Sequence, residues 1–311
     1  MKRVFVFEYL TGGGEVGSDA ERDELMPMGR LMRDALVADL LTVPGVQVSA
    51  ALCRHAPEVP AGARGVAART GEATLDFMAR ESAAHDLACV VAPETGGLLL
   101  KYSRCVSPAR WVGCSPQAIA LASSKQATLR QLDAAGVCTP LAITEARRWV
   151  VKPDDGAGAI DTRVHHRHEA ALQDLQARTR RGEPATLEPW VEGDALSLSL
   201  LCRGAGEAEV LSVNSQQVAV DAQGAVRFLG VQVNALPAAQ ALTQVAEAVA
   251  RALPGLKGFV GIDLVWHAQH GPVVIEVNPR ITCAYAGLSA ALERPLAAEL
   301  LALFEREPAH A

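Results

Sequence analysis

"VVIEVNPRIT", residues 273–282, begins as a buried strand and then breaks its own pattern. Val273, Val274, Ile275 and Val277 are the β-branched residues that a sheet interior takes. Glu276 and Asn278 lie two apart, so on a strand both side chains leave the same face. Pro279 has no N–H with which to continue a ladder, and Arg280 follows at once. Upstream, "GFVGIDLVW" (258–266) is a second apolar run interrupted by one acid, Asp263. The polar stretch between the runs, "HAQHGP", carries Gly271 and predicts a β-hairpin. With the turn centred between Gln269 and His270, Asp263 stands directly opposite Glu276. Like charges facing each other across two strands repel, so a positive group belongs between them. Two carboxylates and an amide oxygen are hard ligands that suit Mg²⁺ or Mn²⁺ and not zinc. A polar face that is simply solvated is the alternative these three residues leave open.

The rest of the chain narrows the choice. At 311 residues it is long enough for two or three subdomains. Half of it is hydrophobic and 21% is charged, the composition of a globular protein. A formal net charge of −6 with no Lys/Arg run argues against a nucleic-acid surface. No apolar run approaches the ~18 residues of a membrane span, and "MKRVFVFEYL" is too short in its apolar part for a leader. A cytoplasmic protein is expected. Seven scattered cysteines without a Cys-x-x-Cys read as small buried hydrophobes in a reducing compartment. Among 29 basic residues only five are lysine: Lys2, Lys101, Lys125, Lys152 and Lys257. In so arginine-biased a chain, a lysine hints that a compact ammonium is wanted.

Residues 1–113 alternate strand and helix, which implies a parallel sheet with helices packed on it. One helix is expected over 115–135, started by Ser115-Pro116 and stopped by Gly136. A smaller unit spans about 140–191, with strand "RRWVVKP", loop "DDGAGA", a helix within 168–181 and strand "ATLEPWV". Three meander strands, a helix, the hairpin and a closing C-terminal helix complete the 114–311 half. The expected class is therefore α/β, becoming α+β in the C-terminal half.

Several stretches bear chemistry. "GGGEVG" (12–17) follows a strand and fits G-x-G-x-x-G, but the second strand ends "AALCRH" without the acid a dinucleotide fold needs, so a plain glycine turn is the better reading. In "VVKPDDGAGA" a strand delivers Lys152, and Gly156 and Gly158 let backbone N–H groups approach phosphate oxygens; an ordinary Gly-rich turn is the alternative. Lys125 opens a helix, the poorer end for a cation unless it points at an anion. "TLEPWVEGD" runs between apolar segments through Glu188, Trp190 and Val191, and offers backbone groups that can pair with an adenine edge. "HHRH" (165–168) lacks a matching acid or cysteine at ligand spacing and reads as a solvated loop.

Taken together and in this order, the segments resemble the ATP-grasp superfamily. The resemblance implies an ATP-grasp fold, with an N-terminal domain at 1–113, an ATP-grasp domain at 114–311 and a lid at about 140–191. It implies that Lys125, Lys152, Gly156 and Gly158 hold phosphates, that Glu188, Trp190 and Val191 read adenine, and that Asp263, Glu276 and Asn278 bind Mg²⁺ (or Mn²⁺). "VFEYL", "APE", "GCSPQAIALASSK", "EGDALSLSL", "LSVNSQQ" and "IEVNPRIT" further resemble the tyramine–glutamate ligases of methanofuran biosynthesis. That family implies ATP as cosubstrate, glutamate and an aromatic amine (tyramine or tyrosine) as partners, and allows a homodimer. Glu8, Asn214, Gln216 and Arg280 become substrate-side candidates, with Arg280 and Lys152 acting on the transferring phosphoryl group. Two positions depart from the pattern: Ser124 stands where Asp is usual before the first lysine, and Ala195 where related ligases have a ribose-binding acid, leaving Asp194. A carboxylase acting through the same activation, or a non-catalytic nucleotide module, are the competing readings.

Overall fold

The computed structural model describes residues 1–156 and 158–305. Its first layer is a five-stranded parallel sheet: β1 (Lys2–Glu8), β2 (Val46–Leu52), β3 (Arg64–Ala67), β4 (Leu87–Val91) and β5 (Trp111–Val112), in the order β3-β2-β1-β4-β5. Helices α1 (Asp19–Leu41), α2 (Thr74–Ala84) and α3 (Leu98–Cys105) connect them. Strand β1 is buried on both faces, as a central parallel strand must be. Phe5 and Phe7 set their rings edge-on to Phe77 at 5.8 and 6.2 Å. The strand order reverses between β1 and β4, so a crevice opens beyond their carboxyl ends. Glu8 and the segment after Val91 sit there. The turn after β1 needs its glycines for packing: a Cβ on Gly12 would lie 2.5 Å from the Phe7 ring, and one on Gly14 2.5 Å from the Tyr9 ring.

The helix expected over 115–135 is two helices, α4 (Pro116–Ser123) and α5 (Lys125–Ala134). Ser124 breaks it: its backbone is extended (φ −98°, ψ 111°), and its hydroxyl accepts from the Ala127 N–H as an N-cap. Next comes a three-stranded antiparallel sheet of β6 (Trp149–Pro153), β7 (Arg163–His165) and β8 (Ala185–Pro189), in the order β7-β6-β8, backed by α6 (His168–Arg180). Of the "HHRH" stretch expected as a loop, His165 ends β7 and His168 opens α6, leaving 166 and 167 between them.

The second large sheet is antiparallel, with β9 (Asp194–Gly204), β10 (Glu207–Val220), β11 (Val226–Leu236), β12 (Gly258–His267) and β13 (Gly271–Asn278) in the order β11-β10-β9-β12-β13. Helix α7 (Gln240–Ala252) buries one face against it. The closing helix is also two, α8 (Leu288–Leu292) and α9 (Leu296–Ala302), divided where Glu293 turns left-handed and Pro295 follows. The β10–β11 tip reaches the small sheet: Val164 N–H donates to Gly224 O at 2.7 Å and Val226 N–H to Thr162 O at 2.9 Å. No helix among the described residues is long and apolar enough to cross a membrane.

Candidate active site

The hairpin pairs Asp263 with Glu276, but by a route the sequence did not show. The outer rungs, Val265 with Val273 and Leu264 with Val274, belong to a register one residue shorter, closed by a turn over 268–270 with Gly271 left-handed at φ 68°. A bulge at Ile275 then restores the acids to facing positions and bends the strand so that Ile275 and Glu276 both line one cavity. That cavity, about 1410 Å³, lies between the parallel sheet, the small sheet and the polar face of the antiparallel sheet.

At its centre Lys125 Nζ stands 3.2 Å from Glu276 Oε2 and donates to the Gly156 carbonyl. Burial works against the charge on Lys125, but Glu276 outweighs it and its pKa is raised. Lys152 pairs with Glu188 at 2.9 Å, both buried. Asp263 accepts from Gln216 Nε2 at 2.8 Å and from Asn278 Nδ2 at 3.1 Å. Desolvation first, and the facing Glu276 second, push its carboxyl up to about 7. Arg280 lays its fork on Glu94, 2.9 and 3.0 Å, and Glu94 was not among the expected residues. Four carboxylates (Glu94, Glu188, Asp263, Glu276) thus meet three cations. A polyphosphate can enter that centre only with further positive charge, and two facing carboxylates beside an amide form a hard-oxygen set fit for a divalent ion. Among the described residues no three of His, Cys, Asp and Glu converge as a metal cluster; His165 is instead hydrogen bonded to Asp174 at 2.9 Å.

Gly156, Gly158, Glu188, Trp190, Val191 and Asp194 all line the cavity. The hinge backbone is less open than expected, because Trp190 N–H is already taken by the Arg148 carbonyl at 2.9 Å. Glu8 lies 4% exposed at the cavity's N-terminal end, accepting from Thr11 N–H at 2.8 Å and Leu10 N–H at 3.2 Å. Burial raises its pKa more than those bonds lower it. Asn214 is the exception and corrects a substrate-side expectation. It is fully buried and does not line the cavity. Its amide donates to Ser197 Oγ and Ser199 Oγ, and its oxygen accepts from Ser212 Oγ and Asn234 N–H, so it is spent within the sheet. Arg280 needs correction too, since the bidentate face intended for a substrate carboxylate is held by Glu94. "APE" carries the signal that was missed, an acid just past a parallel strand at the switch point.

Residues 122–284 match the ATP-grasp domain and residues 46–119 the pre ATP-grasp 3 domain. No curated protein sequence matches the chain. Among solved structures, an ATP-grasp superfamily protein from Archaeoglobus fulgidus superposes with TM-score 0.69 at 21% identity, covering 97% of this chain and 88% of that one. D-alanine–D-alanine ligase from Bacillus anthracis complexed with ATP gives 0.63 at 16% identity, covering 98% and 96%. L-amino acid ligase from Bacillus licheniformis gives 0.60 at 16%, covering 94% and 69%. The first match alone takes in just over half of the sequence, and the chain belongs to the ATP-grasp family.

Proposed function

We propose that the protein joins a carboxylate to an amine at the expense of ATP, and that the pair is the γ-carboxyl of glutamate with an aromatic amine, as in methanofuran-type cofactor assembly. The observation that carries the reaction class is the convergence of Lys125, Lys152, Arg280 and the facing Asp263–Glu276 pair on one cavity. Lys125 and Lys152 would sit on the phosphates as point charges, freed from Glu276 and Glu188 as the polyanion arrives. Asp263, Glu276 and Asn278 would hold Mg²⁺ or Mn²⁺, which when bound neutralises phosphate charge that three side-chain cations cannot. The substrate carboxylate attacks the γ-phosphorus, ADP leaves, and the amine then opens the acyl phosphate to an amide, releasing phosphate. The unit at about 140–191, braced on the β10–β11 tip, excludes the water that would hydrolyse the acyl phosphate. Residues 1–113 and 114–311 are the two domains whose junction makes the site.

The N-terminal end of the cavity supports an amine acceptor. Glu8, Glu15 and Glu21 line it together with Val16, Leu25, Met28 and Met32, whereas the cavity's cations, Lys125, Lys152 and Arg280, all come from residues 114–311. Acids set in apolar walls suit an ammonium carried on an apolar body. The test is ADP release with glutamate against a panel of amines, with products identified by mass spectrometry. ADP that appears only when both glutamate and an aromatic amine are present is expected. Release with other amino acid pairs alone would overturn the substrate assignment and leave the reaction class in place.

A further inference from the structure

After β4 the chain turns sharply at residues 94–97, and two successive left-handed glycines, Gly96 (φ 61°) and Gly97 (φ 67°), fix its shape. Side chains with a Cβ resist that conformation, so the turn is specified and not incidental. Its shape has two results. The Glu94 carboxylate is drawn inside, 5% exposed, and the Gly96 N–H is aimed at Asp155 of the small sheet's loop, 2.8 Å away.

Arg280 has five N–H donors. Glu94 takes Nε at 2.9 Å and one on Nη2 at 3.0 Å. The Ile281 carbonyl takes one on Nη1 at 3.2 Å, and Asn278 Oδ1 lies 3.5 Å from Nη2. One Nη1 hydrogen is left over, on a side chain that lines the cavity close to Glu276. We propose that Glu94 is a positioning residue: it fixes the plane of the Arg280 guanidinium so that the remaining Nη1 hydrogen faces the reacting groups. The proposal rests on the ligase reading above and adds the residue that orients its cation. A planar fork held at two points cannot rotate, whereas an arginine held at one sweeps a cone. The pair also joins the N-terminal sheet to the strand that carries Glu276 and Asn278. Through Gly96 the same turn touches the lid loop, so the orientation of Arg280 is set where three parts of the molecule meet.

Truncating one member of a buried ion pair can also destabilise the fold, so the test must separate position from stability. Glu94→Gln keeps the size and one acceptor oxygen but loses the second. In ADP release with glutamate and tyramine, kcat should fall at least tenfold while KM for ATP stays within threefold. Combining Glu94→Gln with Arg280→Lys should cost no more than Arg280→Lys alone. A crystal structure of Glu94→Gln with Mg²⁺ and a non-hydrolysable ATP analogue should show the guanidinium turned out of its wild-type plane. A kcat within twofold of wild type, multiplicative losses, or an unmoved guanidinium would overturn the proposal. So would a lower KM for glutamate at full kcat, which would make Glu94 a competitor for the substrate's place. If Glu94→Gln does not fold, Glu94→Asp keeps the charge one methylene short and reads the same split. Absence of ADP release by the wild type would sink the substrate reading, and the crystallographic comparison would still decide the role of Glu94.

Discussion

Asp263 and Glu276 face each other, but their other neighbours differ, and so should the effect of removing each. Glu276 is the counter-ion of Lys125, whereas Asp263 hydrogen bonds to amide donors and faces a like charge, with Arg280 a weaker influence than either. With its folded pKa at about 7, above the unfolded range, Asp263 contributes stability that is fully present below about pH 4 and is lost as pH rises toward 7. Asp263→Asn removes that loss, and the Gln216 amide can turn to match it. The metal-free variant should melt roughly 2 °C or more above wild type at pH 8, with a smaller gap at pH 5. Glu276→Gln strands Lys125 and should melt lower. Both should lose ADP formation. Calorimetry at the two pH values checks the signs, and a Glu276→Gln variant more stable than Asp263→Asn would refute the assignment of neighbours. That the two acids share one face of a hairpin was legible from side-chain alternation and the glycine turn, but the turn itself sets a register one residue shorter than expected, and the acids face each other only through the bulge. The bulge at Ile275 was not legible, since two compensating one-residue shifts leave no trace in spacing. Nor was the fate of Asn214, whose four partners come from three different strands.

Elements were legible where period and caps agreed, as for β1, α1, α7 and the meander. They were misread where one capping serine decides, because Ser124 is also an acceptable residue inside a helix, and here its extended backbone ends α4 while its bond to Ala127 N–H starts α5. The short strands β3, β5 and β7 escaped because pairing, not composition, makes them strands. The glycine-containing loop after β6 is held by polar bonds: Asp154 accepts from Gln126 N–H at 2.8 Å and its carbonyl from Lys125 N–H at 2.9 Å. Asp155 adds the bond to Gly96 across to the N-terminal sheet. Asp155→Ala should therefore weaken closure without touching the phosphates. One partly exposed charge-assisted bond is worth about 1 kcal/mol, so KM for ATP should rise roughly fivefold with kcat changed less. Hydrogen exchange at Gly96 and Gly156 should slow when an ATP analogue with Mg²⁺ binds wild type, and slow less in the variant. Equal protection in both proteins would show that the contact plays no part in closure.

At the scale of the whole molecule, the cavity separates charge along its length. Its cations, Lys125, Lys152 and Arg280, all come from residues 114–311, whereas residues 1–113 contribute Glu8, Glu15 and Glu21 in an apolar wall. An acceptor against that wall meets Glu8, Glu15 and Glu21, with no lysine or arginine of residues 1–113 lining the cavity, although Arg33 adds its charge behind Glu8. Tyrosine would bring a carboxylate beside these acids, whereas tyramine brings only the ammonium and the ring. On the proposed ligase reading, this lining favours the aromatic amine without a carboxylate, a choice that motif resemblance left open. Glu8 is the acid to test, because it is buried at the carboxyl end of β1 and two of its lone-pair positions remain after Leu10 and Thr11 are served. With glutamate as acyl donor, kcat/KM for tyramine should exceed that for tyrosine at least tenfold. Glu8→Gln should raise KM for tyramine about tenfold or more while leaving KM for ATP unchanged, since it lies away from the phosphate lysines. Initial rates with the two amines, and the mass of the amide formed, decide it. Equal use of tyrosine, or a Glu8→Gln variant that binds tyramine normally, would place the amine elsewhere in the cavity.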